Sequence, residues 1–113
     1  MLLVDMWITI LLYSQKPSIE QPLPVDKRIE RYVSRSYDRT NAYCALQIAH
    51  KESRFNQFAL SRDKQYWGVF QLGHTQSDNW TMRRQLRLVS KYIQHRYKNW
   101  CNAWLHHQRH NWY

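Results

Sequence analysis

From Asp26 onward, apolar residues return at intervals of three and four, the period of a helix with one buried face. Asp26 stands where an N-cap is wanted. Ile29 and Val33, with Tyr32 beside them, then form one face among Lys27, Arg28, Arg31 and Arg35, and this helix ends near Tyr37. A second helix, capped by Thr40 or Asn41, carries Cys44, Ala45, Ile48 and Ala49 on one stripe, and Glu52 continues that stripe. From Ser53 to Gly73 the period breaks. Asn56, Ser61, Arg62, Asp63 and both glycines alternate with Phe55, Phe58, Tyr66, Trp67, Val69 and Phe70, the pattern of a long loop with a short β-ribbon. Helix returns from about Thr81 to Lys98, where Met82, Leu86, Val89, Ile93 and Tyr97 are spaced by four, three, four and four. A last helix, about Cys101 to His110, stops at Asn111, a residue that tolerates left-handed backbone. The expected fold class is mainly α, a helical domain over residues 26–113 with a short ribbon or loop after the helix that bears Glu52.

The N-terminal third follows another pattern. MLLVDMWITILLY is apolar but shorter than the ~20 residues that span a bilayer, and Asp5 interrupts it. It lacks a basic leading region and a small-residue cleavage site, so it is a poor signal peptide. Residues 1–15 fit either a helix docked on the domain or on a partner protein, or a weak membrane anchor or uncleaved export signal. Residues 16–25 contain all three prolines, Pro17, Pro22 and Pro24, and read as an extended linker.

A chain of 113 residues is one domain's worth, so one fold must carry the function. Charge narrows the partners: 17 Lys and Arg against 8 Asp and Glu leave a net +9, which favours polyanions such as nucleic acid, anionic membrane or an acidic cell wall. After Asp78 there is no Asp or Glu, whereas Arg83, Arg84, Arg87, Lys91, Arg96, Lys98 and Arg109 all follow. Cys44 and Cys101 could form one disulfide or remain two buried thiols; two cysteines match no zinc-site spacing. His106 and His110, one helical turn apart, lack a third ligand, so neither a metal nor another cofactor is expected.

Glu52 carries the most chemical information. A carboxyl on the core-facing stripe is expected to lose water, and the negative end of the helix dipole also disfavours its charge, so both effects favour the protonated form. Such a group can hold a proton near neutral pH and act as a general acid. The plainer alternative is an ordinary helix-end ion pair with Lys51, Arg54 or a more distant arginine.

The neighbouring residues add a resemblance. ESRFNQFALS followed by GVFQL is similar to signatures of lytic transglycosylases related to goose-type lysozyme, through Glu52, Ser53, Phe55, Asn56, Ala59 and Ser61, then Gly68, Val69, Phe70, Gln71 and Leu72. YIQHRYKNWCNAWLHHQRHNWY resembles the end of transglycosylase domains of phage tail and virion proteins. Together these stretches cover about residues 41–113. The resemblance implies a lysozyme-like fold, with a cleft between the Glu52 helix and its following loop on one side and the C-terminal helices on the other. It implies that Glu52 is the sole catalytic acid and base, cleaving the β-1,4 bond between N-acetylmuramic acid and N-acetylglucosamine in peptidoglycan. Ser53, Gln71, Phe70, Tyr92 and His107 are the implied substrate-binding residues: Ser53 bonding Glu52 or capping the loop, Gln71 bonding sugar groups, Phe70 lining the cleft, and Tyr92 and His107 facing the sugar. Glycan strands are the implied partner, and a phage virion or the host periplasm and envelope the implied location. Other virion proteins could meet residues 1–15, and a membrane could meet residues 1–13.

Some positions depart from that family's pattern. Gln57 replaces a common proline, and bulky Tyr66 and Trp67 stand where a glycine and a shorter loop are usual. Lys98 and Asn111 replace two further glycines. These changes bear on loop geometry and sugar fit more than on Glu52. A hydrolytic muramidase would need a second carboxylate, for which Asp63 and Asp78 are the candidates after Glu52. From other classes, the basic third with Tyr92, Tyr97, Trp100 and Trp104 could bind nucleic acid, or the chain could be a structural virion protein on the same fold.

Overall fold

The structure, a computed structural model, describes residues 26–73 and 80–113. The apolar segment 1–15, the linker 16–25 and Asp78 lie outside the described residues. The protein is mainly helical with a short two-stranded ribbon, as the sequence periodicity predicts. Four helices, α1 (Lys27–Ser36), α2 (Arg39–Ser53), α3 (Met82–Arg96) and α4 (Trp100–His110), enclose strands β1 (Tyr66–Trp67) and β2 (Leu72–Gly73) in sequence. None of the described helices is long and apolar enough to cross a membrane.

Each helix starts where a side chain can accept an otherwise unpaired amide. Asp26 accepts from the Arg28 and Ile29 amides, Thr81 from Arg84, and Asn99 from Asn102. The cap of α2 differs from the expected Thr40 or Asn41. Asp38 accepts the Asn41 amide at 2.8 Å, which starts the helix earlier. At the other end of the chain, Asn111 adopts the expected left-handed conformation, with φ 65°, and closes α4.

Helix α2 packs against both α1 and α4, and α1 also meets α3. Ile29, Val33, Ala45, Ile48, Ala49, Val69 and Val89 lose all solvent contact there. The small residues Ala45, Ala49 and Ala103 are all fully buried. Cys44 and Cys101 are joined in a disulfide, which decides between the two states the sequence left open. Both cysteines sit near the starts of their helices. Glu52 and His107, near the ends of the same helices, are hydrogen-bonded. Helices α2 and α4 are therefore cross-linked near both ends and run parallel; on α2, Cys44 and Glu52 lie about two helical turns apart.

The loop between α2 and α3 is held by a buried residue outside the apolar pattern, Gln85, only 2 % exposed. Its Oε1 accepts from the Val69 amide at 2.8 Å, while its Nε2 donates to the carbonyls of Gln57 and Trp80 at 3.0 and 2.8 Å. Gly68, with φ +84°, lies against the Gln85 amide so closely that a Cβ would collide with Oε1. The antiparallel ribbon pairs Tyr66 with Gly73 and Trp67 with Leu72, and a further bridge joins Leu60 to Trp67.

Two stability tests follow from these clamps. The disulfide closes a loop of sequence separation 57, so Cys44→Ala with Cys101→Ala should lower unfolding stability by about 4 kcal/mol in the chain-entropy picture, read by urea denaturation. Gln85→Leu keeps the volume but removes the partner of the Val69 amide and the Gln57 carbonyl, while the Trp80 carbonyl keeps its bond from Gln57 Nε2. It should cost on the order of 3 kcal/mol in the same experiment, well beyond a surface substitution.

Candidate functional site

Glu52 lies in the last turn of α2 and borders a cavity of about 390 Å³ whose other walls are Tyr66, Gln71, Asn111, Trp112 and Tyr113. A second cavity of about 480 Å³ shares Tyr66, Gln71 and Tyr113 with the first and adds Leu72, Gly73, Leu88 and Tyr92. The two therefore form neighbouring recesses with common walls, and Glu52 stands in one of them. Aromatic rings beside amide and hydroxyl groups offer both stacking surface and polar contacts to a ligand.

Helix α2 ends immediately after Glu52 because Arg54 and Phe55 both turn left-handed, at φ 53° and 64°. For a bulky residue such as Phe55 this is an uncommon conformation. It is held by burial of the Phe55 ring, 5 % exposed and 5.5 Å from the His50 ring. The reversal carries the chain away from the helix axis and leaves Glu52 bordering the cavity, with its side chain 21 % exposed.

The sequence-expected residues divide into two groups. Glu52, Gln71 and Tyr92 border the recesses. Gln71, at φ 50°, donates from Nε2 to the carbonyls of Gly68 and Ala59, at 3.0 and 3.3 Å. Its amide nitrogen thus stabilises the loop, while its Oε1 has no hydrogen-bond partner among the described residues. Ser53 does not bond Glu52: its hydroxyl donates to the Ala49 carbonyl and accepts the Asn56 amide, which caps the turn.

Phe70 does not line the cleft. It is 1 % exposed and packs on Trp100 at 5.1 Å, because the turn after Gly68 directs it into the core. Nor does His107 face the cavity. It is 3 % exposed, and its Nε2 meets Glu52 Oε2 at 2.7 Å, since the parallel run of α2 and α4 brings their last turns together.

Tyr66 and Trp67, the bulky residues of the loop, are separated by strand alternation. Trp67 is buried against Trp80 at 4.7 Å, whereas Tyr66 is exposed and borders both recesses. Sequence periodicity alone gave no role to Asn111 beyond a helix stop, or to Trp112 and Tyr113, which complete the wall. Their only prior signal was their place in the C-terminal stretch that resembles transglycosylase domains.

Asp63 is bonded to Ser61 Oγ at 2.7 Å and to the Gln65 amide at 3.1 Å, which holds its carboxyl below the ordinary carboxylate range. It borders neither recess. No group of three or more metal-ligating side chains occurs among the described residues. His106 and His110 stack on each other at 4.3 Å, and the His106 ring also meets Trp112.

The Tyr113 hydroxyl donates to the Phe70 carbonyl. Burial, followed by the negative charge of Glu52, pushes the phenol well above its usual pKa. The folded chain thus binds this proton more tightly than the unfolded chain. The resulting stabilisation is complete below the ordinary tyrosine value near pH 10 and is lost as pH rises toward the folded value. Between about pH 9 and 11, the urea midpoint of the wild type should fall further than that of Tyr113→Phe, which has no phenol to ionise. Equal losses would remove Tyr113 from the alkaline transition. No protein-family model, curated protein or solved structure matches the chain.

Proposed function

We propose that the protein is a peptidoglycan lytic transglycosylase that cleaves the β-1,4 bond between N-acetylmuramic acid and N-acetylglucosamine, with Glu52 as single acid and base. One observation carries the reading: Glu52, the one acidic side chain among the described residues of its walls, borders a recess walled by tyrosine, tryptophan, glutamine and asparagine side chains. Rings of this kind stack on sugar faces, and the amides of Gln71 and Asn111 suit acetamido and hydroxyl groups. The likeness of the flanking sequence to transglycosylase signatures points the same way.

In this reading Glu52 first gives its proton to the glycosidic oxygen, and the C1–O bond breaks with its electron pair going to the leaving sugar. The substrate's own acetamido oxygen bonds C1 and stabilises the positive charge, as in substrate-assisted glycosidases. The Glu52 carboxylate then takes the proton of the C6 hydroxyl as that oxygen attacks C1 and displaces the acetamido oxygen. The product is an anhydro sugar, water is not consumed, and Glu52 ends protonated as it began. No second carboxylate is needed, which agrees with the commitment of Asp63 to its own loop.

The basic character of the chain suits an anionic wall, and a virion or the host envelope is the corresponding location. With purified peptidoglycan, the wild type should release fragments with anhydro ends, identified by mass spectrometry. Glu52→Gln should lower the rate by on the order of 10³-fold while leaving the thermal midpoint within a few degrees. Reducing ends would assign a hydrolase instead, and unchanged cleavage by the variant would exclude Glu52.

A further inference from the structure

The Glu52 carboxyl is not symmetrical. Oε2 is bound to His107 Nε2 at 2.7 Å, whereas Oε1 has no hydrogen-bond partner among the described residues. His107 is buried, and Glu52 is the more open of the pair. The imidazole is boxed by Trp104 on its own helix, at 5.9 Å between rings, and by Tyr113 of the C-terminal segment, at 6.2 Å. Among the described residues, the ionisable groups that touch it are Glu52 from α2 and the Tyr113 phenol, whose pKa burial raises.

We infer that His107 is a positioning residue, which donates Nε2–H to Glu52 Oε2 and thereby directs the working proton of Glu52 to Oε1, the oxygen available to substrate. The inference rests on the role proposed for Glu52 and adds which oxygen carries the proton.

The two neutral tautomers of His107 have opposite consequences. With hydrogen on Nε2, the imidazole donates to Oε2, so a proton on the acid form sits on Oε1. With hydrogen on Nδ1, Nε2 is an acceptor, and the carboxyl proton would be drawn to Oε2 and spent on the histidine. Only the first arrangement leaves a donor for a glycosidic oxygen. It also serves the second step, because the bond to Oε2 fixes the carboxylate plane while Oε1 accepts the C6 hydroxyl proton. A histidine suits this place because it is in the last turn of α4, where the helix dipole favours a donor or cation.

Two variants separate positioning from packing. His107→Gln retains a terminal N–H donor, whereas His107→Phe fills the space without one. His107→Phe should lower kcat on peptidoglycan by on the order of 10²-fold with KM within about twofold, and His107→Gln should recover most of that loss. Wild-type kcat in His107→Phe, or equal loss in both variants at equal thermal midpoints, would overturn the inference.

A measurement without turnover guards against a variant that fails to fold. In wild-type protein labelled with 15N-histidine, the His107 ring should show a protonated Nε2 in contact with Glu52, and a bare Nε2 would also overturn the inference. Because the spectrum is taken on resting protein, its result is independent of cleavage by wild type and Glu52→Gln. That cleavage assay alone decides whether Glu52 is the catalytic acid.

Discussion

The parallel pairing of α2 and α4 is the constraint on which the rest of the site depends. These helices are joined near their starts by the Cys44–Cys101 disulfide and by the Trp100 amide donating to Asn41 Oδ1 at 2.8 Å. Near their ends they meet through Glu52 and His107. Between these clasps lie Ala45, Ala49 and Ala103, all fully buried. A helix end tolerates a carboxyl poorly because unpaired carbonyls give it negative potential. Meeting the last turn of α4 supplies Glu52 with a hydrogen-bond partner. The same meeting buries His107 and keeps it from the solvent-facing role that an aromatic residue there could have taken.

The loop after α2 depends on this frame but has its own internal support. Two left-handed residues, Arg54 and Phe55, end the helix, and Gln71, also left-handed, ends the ribbon's turn. Left-handed conformations in non-glycine residues cost energy and persist when packing and hydrogen bonds determine them. Here the Phe55 ring is buried, and the Gln71 amide bonds two carbonyls of the loop. Gln85 adds three hydrogen bonds from α3, so the loop is tied to the body at its amide, its carbonyls and its aromatic side chains. Such support gives a recess fixed walls, which reduces the ordering cost of binding.

Charge acts around this frame more than within it. Among the described residues Lys27 is paired with a carboxylate, 4.0 Å from Glu30 on an exposed face, and Glu52 is hydrogen-bonded to His107. With 17 Lys and Arg against 8 Asp and Glu, most arginines and lysines are not neutralised by local carboxylates, and the body keeps a strong positive field that draws anionic polymers toward it. The field brings a partner near, while the recess beside Glu52 determines the chemistry available to it.

Local spacing along the chain encodes the elements. The three-and-four spacing of Ile29 and Val33, of Ala45, Ile48 and Ala49, and of Met82, Leu86, Val89 and Ile93 gave the buried faces, because helix geometry places those residues on one side regardless of what covers them. Asp26, Thr81 and Asn111 likewise marked ends by local hydrogen bonding and backbone preference. Glu52 stood out as a carboxyl on an apolar stripe for the same local reason. Only tertiary structure decided which faces meet. It joined Cys44 to Cys101, placed Phe70 in the core, gave Ser53 to the turn, buried Gln85 as a loop clamp and set His107 against Glu52. These are contacts between residues distant in the chain, fixed by how whole helices pack, and no spacing within a single helix encodes them.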